Sequence, residues 1–292
     1  MKNKALASIA VGSLVILGGA AIFFRTLSCS SHATQTSSSA VKKAELVQMW
    51  YSSYSEDILN AAFFNDEYEK SISEKMSKNA DIIFEKLSDA EKAAVKNYTG
   101  VNNISAFMNG FNFGEELNKT YANYANLISN LMSKNRLKED IRLYRGSSVQ
   151  CLNDLISNDG VIDAFLNANS EQDVNHIVSS LNGKFFIIRN GFTSTSTSFW
   201  EAARFVHCNN KERFRDSKNG VGVFFMITAK KGVNYLPLMH HSLCYRENEV
   251  LLDRNVMLKI KSAMFKIERD PNKNLFFPVN KILILECEAV NN

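Results

Sequence analysis

The chain has 292 residues, a formal net charge of +4, 45% hydrophobic residues and 22% charged residues. Such a composition is ordinary for a globular protein, and the length allows one large domain or two small ones. No lysine or arginine run stands out, so the charge pattern predicts no nucleic-acid partner.

The N-terminus has the pattern of an export signal. Lys2 and Lys4 precede an uncharged apolar stretch over residues 5–24, which is long enough to span a bilayer. Three interpretations remain open: cleavage after Ala33, an uncleaved signal anchor, or acylation of Cys29. Each places the bulk of the chain outside the cytoplasm, secreted or anchored, with membrane contact only through this segment.

We therefore divide the chain into three parts. Residues 1–33 are predicted to be a signal peptide or signal anchor, and residues 34–45 a Ser/Thr-rich linker. Residues 46–292 are predicted to form one folded domain. Within this domain, helices are expected up to about residue 135 and a β-core over residues 141–290.

The first half of the domain has a helical pattern. No Gly or Pro occurs over residues 41–99, which favours helices. Ser88 and Glu91 have the spacing of a capping box at a helix start. A further amphipathic run is predicted to bury one face, made of Leu117, Tyr121, Tyr124, Ile128 and Leu131.

Strands dominate the second half. They are predicted at 141–144, 185–188, 192–196, 221–228, 249–252, 256–267 and 276–288, with helices at 161–181 and 199–207. The prolines, Pro237, Pro271 and Pro278, fall where turns are expected. Helices first and strands later indicate an α+β domain.

The cysteine and histidine pattern predicts no metal site. Free thiols and disulfides both remain open for Cys151, Cys208, Cys244 and Cys287, and no two of these have C-x-x-C spacing. His240 and His241 are adjacent, and adjacent residues on a strand point to opposite faces.

Three short segments carry the functional signal. In chain order they are Leu143-Tyr-Arg-Gly146, Gly191-Phe-Thr-Ser-Thr-Ser196 and Glu247-Asn-Glu-Val-Leu-Leu252. Together they resemble the arginine-serine-glutamate class of ADP-ribosyltransferases, which includes bacterial toxins, secreted effectors and vertebrate ecto-enzymes. The segment around residues 87–104 also resembles the helical part that these enzymes carry before the arginine strand, so the resemblance covers roughly residues 85–290.

The resemblance implies both a fold and an activity. The expected fold is a helical N-terminal lobe packed on a two-sheet, mainly antiparallel β-core. The expected activity is mono-ADP-ribosyl transfer from NAD, without a metal, to an arginine of another protein, as a toxin or effector would do. Residues 46–292 would then be the catalytic domain.

Arg145, Gly146, Ser194 and Glu249 are expected to handle NAD. A guanidinium offers fixed charged donors for a pyrophosphate, which suits Arg145. The backbone of Gly146 is expected to approach the nicotinamide amide, because glycine has no Cβ. By resemblance, Glu249 contacts the ribose 2′-hydroxyl and stabilises developing positive charge, while Ser194 holds Glu249 by a hydrogen bond.

Glu247 is expected to select the acceptor. Alternate residues of an extended segment share a face, so Glu247 and Glu249 are expected to reach one site. A target arginine is protonated, and a second carboxylate can orient it and take its proton. In the resembled class, Glu-x-Glu goes with arginine as the acceptor.

Other roles follow from the resemblance alone. Phe205 is expected to stack on nicotinamide or, alternatively, to be a core residue of a short helix. Lys211, Arg213 and Arg215 compete for a phosphate contact. The predicted catalytic residues are Arg145, Ser194, Glu247 and Glu249; NAD contacts are Arg145, Gly146, Ser194, Thr195, Ser196, Phe205 and Glu249; target contacts are Tyr245 and Glu247.

Two other functions remain open at this point. With water as the acceptor, the protein would be an NAD glycohydrolase that needs Glu249 but tolerates loss of Glu247. The other possibility is a membrane-tethered binding module that keeps the fold without catalysis.

Overall fold

The computed structural model describes residues 66–101, 104, 108, 112–154, 160–187, 191–206, 221–243, 247–254, 256–267 and 281–291. The predicted leader, the predicted linker and Tyr245 lie outside these residues. Within the described part of the chain, every helix is too short or too polar to cross a membrane.

Three long helices form the N-terminal part of the described structure: α1 (Asp66–Phe84), α2 (Asp89–Val101) and α3 (Glu115–Lys134). The predicted capping box starts α2, because Glu91 N donates to Ser88 Oγ at 3.3 Å and Ser88 N donates to Glu91 Oε2 at 2.9 Å. These two bonds satisfy backbone donors that a helix start otherwise leaves unpaired.

The face that α3 buries differs from the prediction at one end. Tyr121, Ile128 and Leu131 are buried as expected. Leu117 is 47% exposed and Tyr124 is only partly buried, whereas Ala125 and Met132 are buried. The buried stripe therefore covers the middle and the C-terminal end of the helix, where α3 contacts α2 and the sheet.

Eight described strands form one connected sheet in the order β2-β7-β8-β4-β1-β3-β6-β5. The strands are β1 (Ile141–Ser148), β2 (Phe185–Ile187), β3 (Thr193–Ser196), β4 (Val221–Ala229), β5 (Tyr235–Pro237), β6 (Glu249–Leu252), β7 (Val256–Ile267) and β8 (Lys281–Asn291). Among the described pairs, only β4 and β8 run parallel.

The sheet has two parts that meet at a narrow junction. The first contains β2, β7, β8, β4 and β1, and the second contains β3, β6 and β5. Their register is linked by a single residue pair, Tyr144 of β1 with Ser196 of β3. The two-sheet, mainly antiparallel core expected from the sequence is therefore present as two parts of one connected sheet.

The sheet buries residues on both faces. Leu143 belongs to the large core, whereas the next residue, Tyr144, belongs to a smaller cluster with Phe199 and Phe224. Successive residues of a strand point to opposite faces, so one strand can supply both clusters.

Short helices connect the strands: α4 (Gly160–Asn167), α5 (Asn175–Leu181) and α6 (Phe199–Ala203). The continuous helix predicted over residues 161–181 is wrong, because a 3₁₀ turn at Glu171–Val174 separates α4 from α5. The predicted end of the first strand at Tyr144 is also wrong, since β1 continues to Ser148. Pro237, expected in a turn, ends β5 at the sheet edge, where proline is tolerated.

Candidate active site

The junction between the two parts of the sheet brings Arg145, Ser194 and Glu249 together. Arg145 Nη1 donates to the Ser194 carbonyl oxygen at 2.7 Å. Ser194 Oγ donates to Glu249 Oε1 at 2.6 Å, and Glu249 is 1% exposed. A guanidinium, a hydroxyl and a carboxylate that lie on three different strands thus form one connected group.

Strand register explains this contact. Ser196 lies opposite Glu249, and Ser194 lies opposite Leu251. Ser194 and Glu249 are therefore diagonal neighbours on one face of the β3–β6 pair, at a spacing that side chains can bridge. The hydrogen bond expected between them is present.

The remaining hydroxyls of this segment hold the glutamate strand by its backbone. Thr195 Oγ1 donates to the Val250 carbonyl oxygen and Ser196 Oγ to the Glu247 carbonyl oxygen, both at 2.6 Å. Thr195 and Ser196 are both buried. Their hydroxyls are thus used within the protein, which favours the expected support role over a direct ligand contact.

Arg145 lies in a desolvated environment. Burial lowers the pKa of its guanidinium, while the nearby Cys151, Tyr98 and Glu249 act in the opposite direction. Its Nε is buried and has no hydrogen-bond partner among the described residues. A buried donor left without an acceptor is costly, so this position favours a ligand that brings an acceptor atom.

Gly146 is required by the packing of α6. A Cβ at this position would lie 2.2 Å from the Ala202 carbonyl oxygen and 2.7 Å from the Val206 nitrogen. Both are backbone atoms that cannot rotate away. The structure therefore gives Gly146 a packing reason that sequence reasoning missed, beside the close ligand approach that it expected.

Phe205 lies two residues after the end of α6, with its backbone against Gly146. It is 37% exposed, and α6 ends at Ala203. Of the two interpretations left open by the sequence, a core residue inside a helix does not fit these observations. An accessible ring beside the Arg145 strand is the arrangement that stacking on a ligand requires.

The backbone between Glu247 and Glu249 is not extended as the sequence predicted. Asn248 between them has φ of 47°, a left-handed conformation, and β6 begins only at Glu249. The premise that both glutamates lie on one regular extended segment is therefore wrong. Glu247 is nevertheless buried at 9% exposure, and Ser196 holds its carbonyl next to the strand that carries Glu249.

Helix α1 supplies contacts that no motif indicated. Glu69 is buried, and its Oε2 accepts a hydrogen bond from Phe199 N at the start of α6. The Ser73 and Thr197 hydroxyls lie 2.6 Å apart. Burial, with a further contribution from Glu69, raises the pKa of Tyr144. These long-range contacts attach the helical part to the segment after β3.

Several predicted residues lie outside the described part of the chain, namely Tyr245, Lys211, Arg213, Arg215, Cys208 and Cys244. Cys151 and Cys287 are described, and Cys287 is a buried free thiol. Burial, followed by the effects of Glu286 and Cys151, raises the pKa of Cys287 to about 12, which is typical of an unreactive core thiol.

Residues 63–280 match the family model described as ADP-ribosyltransferase exoenzyme. The chain belongs to the ADP-ribosyltransferase exoenzyme family. The resemblance read from the three sequence motifs is thereby confirmed, and with it the general activity of the family, ADP-ribosyl transfer. No curated protein sequence gives a significant match.

Several solved structures with a similar fold come from bacterial toxins and exoenzymes. BECa of a C. perfringens binary enterotoxin, solved with NADH, has a TM-score of 0.56 and 18% identity; the match covers 78% of this chain and 49% of BECa. Plx2a, a toxin from Paenibacillus larvae, has a TM-score of 0.54 and 18% identity over 76% of this chain and 96% of Plx2a. C3stau2 from S. aureus, solved with NAD, has a TM-score of 0.52 and 16% identity. That match covers 75% of this chain and 95% of C3stau2. The predicted α+β class is confirmed.

Proposed function

We propose that this protein is an NAD-dependent mono-ADP-ribosyltransferase that modifies arginine on another protein. The observation that carries the proposal is the hydrogen bond from Ser194 to the buried carboxylate of Glu249, with Arg145 bonded to the same strand. This arrangement fixes one carboxylate in a family that transfers ADP-ribose.

NAD fits the groups at this junction. Arg145 keeps a buried Nε donor that a phosphate oxygen would satisfy. Gly146 and the exposed Phe205 lie side by side next to it, which suits a planar nicotinamide. BECa and C3stau2 were solved with NADH and NAD, and both have this fold.

The proposed chemistry needs a fixed negative charge. When the bond between nicotinamide and ribose breaks, positive charge develops on the sugar, and a carboxylate beside it stabilises the transition state. Ser194 restrains Glu249 before the reaction begins, so little reorganisation is needed. The electron pair of the broken bond leaves with nicotinamide.

Glu247 supports arginine as the acceptor. A guanidinium nitrogen forms the new bond to the ribose carbon and must lose a proton, which Glu247 can accept after pairing with the cation. Glu247 is buried and held beside Glu249 through Ser196. The acceptor chemistry thus rests on a residue separate from the one that drives NAD cleavage.

An exported role accompanies this proposal. The apolar N-terminal segment supports secretion or anchoring outside the cytoplasm, and a toxin or effector acting on a host protein fits that location. Incubation of labelled NAD with a cell lysate, followed by mapping of the modified residue, would identify the target.

Nicotinamide release with and without agmatine, a small guanidine acceptor, tests the reaction. The wild-type protein should release nicotinamide faster with agmatine and should form ADP-ribosyl-agmatine. Glu247→Ala should lose transfer but keep NAD cleavage, because Glu249 is intact. Glu115→Ala, a change at an 85% exposed glutamate of α3, is the matched control and should change neither rate.

Each alternative gives a different result. NAD cleavage that agmatine and Glu247→Ala leave unchanged would indicate a glycohydrolase. Absence of NAD binding by calorimetry would indicate a non-catalytic binding module and would refute the proposal.

A further inference from the structure

We infer that Asp81, His240 and His241 form a binding site for a divalent transition-metal ion of the zinc type. His240 Nε2 lies 2.8 Å and His241 Nε2 3.0 Å from Asp81 Oδ1. One ligand atom from each of the three residues lies within 4.8 Å of the other two. His240 and His241 precede Glu249 in the chain, between β5 and β6, and no step of the proposed transfer uses the site.

The histidines converge because they are not on a strand. They belong to a 3₁₀ turn, Met239–His241, between β5 and β6. Met239 has φ of 44° and is 1% exposed, so the turn begins at a buried residue in a left-handed conformation. The expectation that these adjacent histidines point to opposite faces of a strand is wrong, because both lie in this turn.

The donor set suits zinc and its neighbours. Imidazole nitrogen and carboxylate oxygen bind Zn²⁺ at about 2.0–2.2 Å, which places the ligand atoms of a tetrahedral site about 3.3 Å apart. The observed separations of 2.8 and 3.0 Å need to open by only a few tenths of an ångström. Three protein ligands leave a fourth position for water.

The exposure and the packing of the three side chains also suit a metal ion. The side chains of Asp81 and His240 are each 51% exposed, so an ion can enter from solvent. His241 is held by the ring of Phe84, which stacks on it at a centroid distance of 4.0 Å. His241 and Asp81 also line a cavity of about 650 Å³, together with Glu85, Lys92, Lys96 and Leu243. Ligand rings that are fixed before binding lose less freedom when the ion arrives.

Metal binding would join α1 to the segment that leads to the two glutamates. Leu238, next to the turn, donates its backbone N–H to the Glu249 carbonyl oxygen at 2.9 Å. An ion on His240 and His241 therefore restrains the start of the segment that ends at Glu247. A lower KM for the arginine acceptor is the expected consequence, and this consequence alone rests on the proposed function.

Binding is tested on the full-length chain without an affinity tag. Calorimetric titration with Zn²⁺ should give one strong site, and Co²⁺ should give the visible absorption of a tetrahedral ion. His240→Ala and Asp81→Asn should weaken Zn²⁺ binding by more than the about 100-fold that loss of an outer-shell partner can cost. His176→Ala, which removes an exposed histidine of α5, is the matched control and should leave binding unchanged.

Two results would refute the proposed metal site. A wild-type chain that binds neither ion, or variants of Asp81 and His240 that bind as well as His176→Ala, would overturn the site. His240→Gln, at a half-exposed position, keeps the test valid if Asp81→Asn does not fold.

The two proposals can fail separately. Zn²⁺ binding without any transfer to agmatine would leave the site standing and refute the proposed function. Transfer to agmatine without Zn²⁺ binding would support the proposed function and refute the metal site. Where both hold, Zn²⁺ should lower the KM for agmatine in the wild type and in His176→Ala, but not in His240→Ala.

Discussion

The β1–β3–β6 junction and the segment between β5 and β6 are neighbours, yet they are held in different ways. At the junction, Glu249 is 1% exposed and bonded to Ser194 at 2.6 Å. In the segment, His240 is 51% exposed, and both Met239 and Asn248 have left-handed backbone conformations. The first region is fixed by strand register, whereas the second depends on turns.

This difference indicates a division of labour. Cleavage of NAD needs a charge that is already in place, and buried hydrogen bonds provide it. Under the proposed function, acceptor recognition needs a surface that a protein target can reach, and turns would provide that surface. Changes at the junction should therefore affect NAD cleavage, and changes in the segment should affect transfer to the acceptor.

The largest effect is expected from Glu249→Gln. It removes the charge at the centre of the junction and keeps the shape of the side chain, so nicotinamide release should fall by about 10²–10³-fold. Glu115→Gln should leave the rate unchanged, since that side chain is 85% exposed on α3. A Glu249→Gln protein that folds and keeps its rate would end the catalytic assignment.

Ser194→Ala should act on the same step more weakly. It removes a hydrogen bond to a charged group, worth about 1.5–3 kcal/mol, and should lower kcat for nicotinamide release by about 10–100-fold. Ser194→Thr keeps a hydroxyl and should restore part of the rate. If Ser194→Ala changed only the thermal midpoint and left kcat intact, Ser194 would be structural and not a positioning residue.

Gly146→Ala should lower the free energy of unfolding by about 1–3 kcal/mol, because the new Cβ meets backbone atoms of α6. Urea denaturation measures this loss. Gly100→Ala is the control, since its Cβ meets only the flexible end of Leu243 at 2.9 Å within a helix, where alanine is favoured. Equal stability of the two variants would contradict the packing role of Gly146.

The smallest effect is expected at Asn248, in the segment. Asn248→Ala should cost about 1 kcal/mol, because alanine lacks the short polar side chain that lets asparagine adopt φ of 47°, whereas Asn248→Gly should cost little because glycine has no Cβ. In both urea denaturation and the agmatine assay, Asn248→Ala should lose more than Asn248→Gly. In each variant, transfer to agmatine should fall more than NAD cleavage. A similar loss of cleavage would erase the distinction between the two regions.

Local patterns predicted much of the fold. The bounds of β6 and β7 and the start of β4 agree with the apolar runs, and the capping box at Ser88 starts α2. Contacts between distant segments could not be read in the same way. Glu69 belongs to no recognisable sequence motif. Only the packing of α1 on the start of α6 shows that its carboxylate accepts a hydrogen bond from the backbone N–H of Phe199.

The sequence by itself indicated the family and named Arg145, Ser194, Glu247 and Glu249 as candidate catalytic residues, because the order and spacing of motif residues can be read along the chain. Only the tertiary structure decided three further points: that Gly146 is needed by α6, that Asn248 breaks the extended Glu-x-Glu segment, and that His240 and His241 meet Asp81. Each depends on a backbone conformation or on a partner distant in the chain. The physical reason is that long-range packing selects these conformations, and no local pattern encodes them.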